Sequence, residues 1–479
     1  MNFKKKLFCI AMSVILMVAI SGCGIKGDTA KYVFVDYDAN TESEMMIGAY
    51  WCPTATDENW QSIRDCGINT IWLDSKVNGY NPDPAGEGFK TALALSEKYG
   101  LKAIVSGGVI DSTSQETVDE YMDRFLSDKI DFSAYDSFLG INALDEPDYR
   151  KLTMMTDVPK KLQEKYPDAL IITNLFANYS DFNKAGGYSD KTYREYIEYC
   201  ADTFIKNTKG RQILSVDYYP LLSKNNEVRD GFLWTIELVT EIAQARNYET
   251  AFYLQSTYQG VLAPGLRRIN YDTLSWQAYS YLAYGCTNLI HFLYYYPGLN
   301  NDDSGSVLLN QYGQKTPQWY YAEQLNKELL NFDHVFKQFQ YSETMPIYSI
   351  HNEYKDNNNL NMIRQTEELE GVQKVSFTQD MILSSFADVK ENKAYMLVNF
   401  ADKDKEEEIG QLNADGEMTL DEGYNGAIVY YHGEKLILKS GDTDLSVKNF
   451  QAKFSMDRNT ISVKGMEAGQ GIFIIPTVS

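Results

Sequence analysis

The stretch Phe138–Pro147, FLGINALDEP, joins an apolar run to two adjacent carboxylates. Phe138, Leu139, Gly140, Ile141, Ala143 and Leu144 read as a strand buried on both faces, as in a parallel sheet. Asp145 and Glu146 fall at its C-terminal end, and Pro147 stops the ladder because it has no N–H to donate. In a (β/α)8 barrel the C-terminal ends of the strands form the mouth where active sites are built. A carboxyl in such a mouth is partly desolvated, which raises its pKa and lets it donate a proton near neutral pH. The same residues also suit a plainer part, an acidic helix N-terminus capped by Asp145 or Asp148. On this stretch alone both readings stand.

On either side of this strand the chain alternates short apolar strands with amphipathic helices. The alternation runs from about Met46 to Phe339, at spacings of roughly thirty to forty-five residues that suit βαβ units. Before FLGINALD the strands are 46–51, 69–73 (ending at Asp74) and 102–105; after it they are 169–174, 213–217, 251–255 and 288–292. The intervening helices are read at 56–66, 88–99, 115–126, 151–165, 192–204, 231–245, 272–284 and 318–339. Eight units over about 290 residues predict a TIM barrel across 46–340. The alternative, a doubly wound open sheet, has a Gly-rich phosphate turn after its first strand. Trp51-Cys52-Pro53-Thr54 stands there instead. Beyond about Tyr341 the helical spacing gives way to alternating strands such as 394–400 and 427–431, separated by Asn425-Gly426, His432-Gly433 and Ser440-Gly441. Residues 341–479 therefore read as a C-terminal β-sandwich packed on the barrel, resembling the sandwich appended to many glycosidase barrels, and the charged run 402–408 as a solvated hairpin tip.

The first residues are not fold. Met1–Lys6 is basic and Leu7–Ile20 is apolar, too short and wrongly flanked for a spanning helix. The adjoining Ile20-Ser21-Gly22-Cys23 resembles the lipobox of bacterial lipoprotein signal peptides. That resemblance implies a signal peptide over 1–22, lipid on Cys23, an anchor and linker over 23–45, and an exported protein held at the extracytoplasmic face. An ordinary secretory signal cut nearby, with Cys23 incidental, is the alternative.

The formal net charge of −22 repels nucleic acid and anionic membranes, so a membrane is met only through the lipid. Past Cys23 the remaining cysteines, Cys52, Cys66, Cys200 and Cys286, are widely spaced and include no CxxC pair. The four histidines are not paired at ligand spacing, so neither a metal site nor a cofactor is expected. Strand ends converge on one mouth although they are far apart in sequence. The residues ending these strands are Trp51, Asp74, Ser106, Asp145 with Glu146, Asn174, Asp217 with Tyr218, Gln255, and His291 with Tyr294. Carboxylates, amides, an indole and phenols, without a lysine or a cofactor motif, suit a neutral polyhydroxylated ligand, that is, a carbohydrate.

The segments LGINALDEP, YPDALIITNL, ILSVDYYP, AFYLQS and WQAYSYLAYGCTNLIHFLYY resemble the (β/α)8 barrels of exported bacterial glycosidases, distantly β-galactosidase-like and cellulase-like, over residues 46–479. The resemblance implies a general acid after the fourth strand, which is Glu146, with Asp145 where an amide contacts the sugar. It also implies a nucleophilic Glu after the seventh strand, where this chain has Gln255. An amide forms no glycosyl ester. Asp217 is the substitute as nucleophile or base, with Asp74 behind it, and Asp217 as a sugar-binding or structural acid is the other reading. Tyr50, Tyr253 and Trp276 read as barrel core or helix packing, whereas Trp51, Tyr218 and Tyr294 follow strand ends and are assigned to the sugar. His291 reads as a hydrogen-bonded barrel residue or a sugar contact. A surface-anchored glycoside hydrolase is expected; a glycan-binding lipoprotein without catalysis is the alternative.

Overall fold

The computed structural model describes residues 35–39, 44–74, 87–106, 117–126, 130–183, 190–224, 227–257, 265–296, 307–352, 360, 364, 366–401 and 412–478. The leader, Cys23 and the charged run 402–408 lie outside the described residues.

Eight parallel strands close into a barrel in chain order. They are β1 (Met46–Ala49), β2 (Thr70–Asp74), β3 (Lys102–Ser106), β4 (Phe138–Asp145), β5 (Leu170–Leu175), β6 (Ile213–Val216), β7 (Glu249–Gln255) and β8 (Asn288–Phe292). Closure is made at β1, where Gly48 pairs with Thr70 of β2 on one side and Ile290 of β8 on the other. Around the first half lie α1 (Asp57–Asp65), α2 (Glu87–Tyr99), α3 (Val118–Leu126), α4 (Tyr149–Met154) and α5 (Val158–Lys165). Around the second lie α6 (Tyr193–Tyr199), α7 (Phe232–Gln244), α8 (Tyr271–Ala283) and α9 (Pro317–Phe336). The helix starts carry their own signals. Thr56 caps α1 by accepting from the Asn59 N–H, and Thr192 forms a capping box with Glu195 on α6.

Three expected helices differ from the observed ones: of that over 192–204, α6 covers only Tyr193–Tyr199, and Cys200–Phe204 continue it as a π-helical turn. The single helix read over 151–165 is two, α4 and α5, because Pro159 sits in the first turn of α5 and cannot continue a helix from Met155. The last helix stops at Phe336 rather than Phe339, which instead opens a strand and buries its ring beside Tyr37 and Phe473.

The C-terminal part is a sandwich of two antiparallel sheets built from β9 (Phe339–Ile347), β10 (Val372–Phe377), β11 (Met381–Asp388), β12 (Lys393–Asn399), β13 (Ala414–Leu420), β14 (Gly426–Tyr431), β15 (Glu434–Lys439), β16 (Leu445–Ser446), β17 (Lys453–Asp457), β18 (Thr460–Met466) and β19 (Gly471–Thr477). The sheet orders are β15-β14-β19-β12-β11-β9 and β10-β13-β18-β17-β16. Met46, Trp72, Ile104, Ile172, Ile213 and Ile290 fill the barrel interior, and Phe377, Leu383, Leu397, Met418 and Phe454 the space between the sheets. The larger sheet lies on α8 and α9, with Trp276 against Phe400 at 4.9 Å and Phe336 against Phe473 at 5.2 Å between ring centroids. Trp276 is thus packing, as its helical position implies. Cys52, Cys66, Cys200 and Cys286 are all free and buried.

One buried charged cluster ties the two parts together. His432, 4% exposed, places Nδ1 3.2 Å from Glu328 of α9 and Nε2 2.7 Å from Glu467. Phe450 stacks on its ring at 3.7 Å, Tyr271 meets both Glu328 and His432, and Tyr431 donates to Glu467. Burial alone pushes the imidazolium pKa down; the hydrogen bonds to Glu328 and Glu467 outweigh it, and the net shift is upward. A histidine with a raised folded pKa contributes stability that is complete below about pH 6.5 and is lost as pH rises through the folded value. His432→Gln is therefore expected to cost about 1–3 kcal/mol below pH 6.5. The gap from the wild type should narrow toward pH 9 in melting curves. A gap that does not change with pH would contradict the assignment.

Candidate active site

The acid-bearing strand is built differently from its neighbours. β4 pairs Phe138 with Ala103 but Gly140 with Ile104, leaving Leu139 as an extra residue; against β5, Asn142 pairs with Ile172 but Leu144 with Thr173, leaving Ala143 as a second. Each extra residue bends the strand and re-aims the side chains beyond it. Glu146 then takes a left-handed φ of +44°, its N–H held by the Asn174 carbonyl at 2.8 Å. A non-glycine residue pays about 1–2 kcal/mol for that conformation. Strain of this kind gathers at functional sites, and Trp51 at the same mouth has φ +59°.

A cavity of about 400 Å³ opens at this end of the barrel, lined by Trp51, Asp145, Glu146, Asn174 and Asp217 of the expected set. The rest of its wall is Tyr50, Tyr179, Tyr219, Arg229, Tyr253, Leu266 and Phe292. That volume lies within the usual range of small-molecule sites. Tyr50 and Tyr253 belong to the barrel core, as expected, and their rings, edge to face at 5.7 Å, also line the hollow. Side-chain alternation along a strand explains both: Met46 and Ala251 point into the barrel, so the residues four and two further on do too. The same period, counted from Asp217, leads to Tyr219.

Five expected sugar contacts lie outside the cavity wall. Tyr218, next to Asp217, faces outward, and its hydroxyl donates to the Asp230 carbonyl at 2.7 Å. His291 likewise points away from the barrel axis and is bonded to Ser256 and Asn326. Tyr294 is buried between Ser62 and Trp319. Gln255 is covered by the segment after β6: its side chain accepts the Leu221 N–H at 2.9 Å and donates to the Leu221 carbonyl at 3.0 Å. The amide is therefore a clamp on that loop, a task a carboxylate cannot perform because it has no N–H. Gln255→Glu is expected to cost about 2–3 kcal/mol, by setting a buried anion against a carbonyl, and to add no hydrolysis. Urea unfolding and a glycan assay check it; a gain of turnover would contradict the clamp. Asp74, 1% exposed, stays behind the wall, where its charge acts on Tyr50 and Asp145.

Three carboxyls meet in the hollow. Asp145 accepts from the Tyr50 hydroxyl at 3.1 Å and from Asn174 Nδ2 at 3.3 Å. Burial and the charge of Glu146 nonetheless raise it to about 7. Glu146 and Asp217 hydrogen-bond to each other, and Tyr219 also bonds Asp217. Burial raises both; Asp217 is driven further up because Glu146 and Asp145 add like charge. Burial and like charge therefore favour the protonated form of Asp217 more strongly than that of Glu146. This is the logic of two acids too close to ionise together. Burial also keeps the hydroxyls of Tyr50, Tyr219 and Tyr253 protonated, so they remain donors. Among the described residues no group of His, Cys, Asp and Glu is arranged to hold a metal ion.

No family model matches the sequence, and no curated protein does. Among solved structures, one described as a glycoside hydrolase superposes with a TM-score of 0.51 at 11% identity, covering 91% of this chain and 93% of its own. A glycoside hydrolase family 5 protein from Bacteroides vulgatus gives 0.48 at 11% identity over 90% and 89%. At such identity the first of these likenesses establishes architecture: the chain carries a glycosidase-like (β/α)8 barrel with a C-terminal β-sandwich.

Proposed function

We propose that the protein is a retaining glycoside hydrolase acting on O-glycosidic bonds of oligo- or polysaccharides. The observation that carries this is the close pair of buried carboxyls, Glu146 and Asp217, in an aromatic-walled cavity. Retaining enzymes hold their carboxyls about 5–5.5 Å apart, inverting ones about 6.5–9.5 Å with a water between. Carboxyls in hydrogen-bond contact leave no room for that water, and the entry of a glycosidic oxygen need part them only slightly. As positive charge develops at the sugar, ionised Asp217 is stabilised and its proton passes along the existing hydrogen bond to Glu146. Asp217 then forms the ester to the anomeric carbon while the glycosidic C–O bond breaks, and the Glu146 proton goes to the leaving oxygen. Glu146 next takes a proton from the water that hydrolyses the ester, and the pair is restored. Tyr50 and Asn174 orient Asp145 toward the sugar hydroxyls. Mass spectrometry of a glycan panel, with NMR of the first-formed anomer, tests this: cleavage with retained configuration is expected, and inverted product would remove Asp217 as nucleophile.

The opposing reading, a glycan-binding protein without catalysis, draws on Gln255, since β7 contributes no carboxylate to the cavity. Binding across the same panel with no cleavage would select it. Export and lipidation at Cys23 belong to the proposal, resting on the basic, apolar and ISGC sequence of the leader. Radiolabelled palmitate in wild type but not in Cys23→Ser is the expected result.

A further inference from the structure

Among the described residues, the three carboxyls of the cavity have no cationic counterpart. Among the described residues, Asp145, Glu146 and Asp217 hydrogen-bond only to one another, to tyrosine hydroxyls and to the Asn174 amide, and none is in an ion pair. Arg229 lines the wall but is turned to other partners: its guanidinium carbon lies 3.8 Å from the centre of the Tyr179 ring, and its Nε donates to the Tyr219 carbonyl at 3.2 Å. Asp74 adds a fourth charge from behind. Asp217 is 6% exposed, lines the hollow, and has one buried oxygen, Oδ1, with no hydrogen-bond partner. Among the described residues, then, Asp217 Oδ1 lacks a donor, and the field favours one that carries positive charge.

We propose that the cavity recognises glycans bearing a free amine, with the ammonium of an unacetylated hexosamine seated among Asp145, Glu146 and Asp217. The inference rests on the glycan-acting reading above and names its substrate class. An ammonium presents three N–H donors on one compact charge, so it reaches Asp217 Oδ1 and a second carboxyl together. A neutral hydroxyl satisfies the same oxygen but leaves the charge uncompensated, an N-acetyl group removes the charge, and a uronate is repelled. A metal ion does not serve instead, since the described carboxyls are not arranged to hold one. Asp145, raised to about 7 by burial and the Glu146 charge, is partly protonated at pH 6.5, so an arriving cation displaces a proton.

Calorimetry with glucosamine oligomers, their N-acetylated counterparts, and glucose and glucuronate oligomers of equal length tests this at pH 6.5. The glucosamine oligomer is expected to bind roughly tenfold or more tightly than the glucose oligomer, the preference shrinking at high salt. Its binding should release protons, seen as a heat that varies with the ionisation enthalpy of the buffer, whereas glucose oligomers release none. Asp145→Asn should weaken binding of the glucosamine oligomer by more than that of the glucose oligomer, so that the amine preference shrinks. Equal affinity for amine and neutral oligomers, or a preference for glucuronate, overturns the proposal. Cleavage of neutral glycans without amine preference overturns it and leaves the hydrolase reading intact. Amine-selective binding with no glycan cleaved supports it and removes the hydrolase reading.

Discussion

Glu146→Gln and Asp217→Asn are each expected to lower turnover of a cleavable glycan by about 10²–10⁴-fold, the usual effect of losing a positioned acid or nucleophile. Because the two act as a unit in one step, the double variant should lose no more than the worse single one. The leaving group separates their roles. An aryl glycoside whose phenol is already acidic needs no proton, so Glu146→Gln should recover much of its ester-forming step on it, and Asp217→Asn none. Stability should move the opposite way. Asp217 has a folded pKa raised above its unfolded value of about 3.9, so keeping it in the fold costs stability as pH rises above that value. Asp217→Asn is therefore expected to melt higher than wild type, by more at pH 8 than at pH 5. Loss of turnover together with a lower melting temperature would mean that Asp217 serves the fold. Full activity in either single variant would remove the pair from catalysis.

The barrel was legible because its signal is coarse. Eight apolar runs separated by amphipathic helices survive errors of a few residues at each boundary, and the break at Pro159 changes no strand. The sandwich was legible for the same reason, from turn residues such as Asn425-Gly426 between alternating strands. The wall of the site depends on which side of each strand a side chain takes, where one residue decides. Asp217 points in, Tyr218 out and Tyr219 in, and reading Tyr218 as the sugar contact puts the hydroxyl on the wrong face. Gln255 shares the inward parity of Ala251 and Tyr253, yet the loop after β6 lies across it, a long-range packing event with no local sequence mark. Least legible were the two bulges of β4. FLGINALD is eight residues long where β3 is five, but length alone does not say which residues are extra. Glu146, which meets Asp217, follows those bulges and sits in a left-handed turn that no local sequence mark announces.

Gly140→Ala is expected to destabilise the barrel by at least about 3 kcal/mol, the severe end for a single added methyl. A Cβ at this position would lie 2.0 Å from the Leu170 carbonyl oxygen and 2.7 Å from its carbon. Both atoms are backbone, and Leu170 is the residue of β5 that pairs with Gly140. No rotamer change relieves such a contact; two adjacent strands of a closed barrel must move apart. A position with open space gives the comparison. Gly210 has φ +76° and nothing within 4 Å of its would-be Cβ, so Gly210→Ala meets only backbone strain, about 1 kcal/mol. Urea unfolding of both variants checks the difference, and a Gly140→Ala protein within about 1 kcal/mol of wild type would contradict the packing described. The damage should also reach function. Gly140 lies between the two bulges, so a shift of β4 relative to β5 is carried to Asp145 and Glu146 at the end of the same strand. Any Gly140→Ala protein that folds should therefore bind glycans weakly and hydrolyse them slowly although no side chain of the cavity has changed.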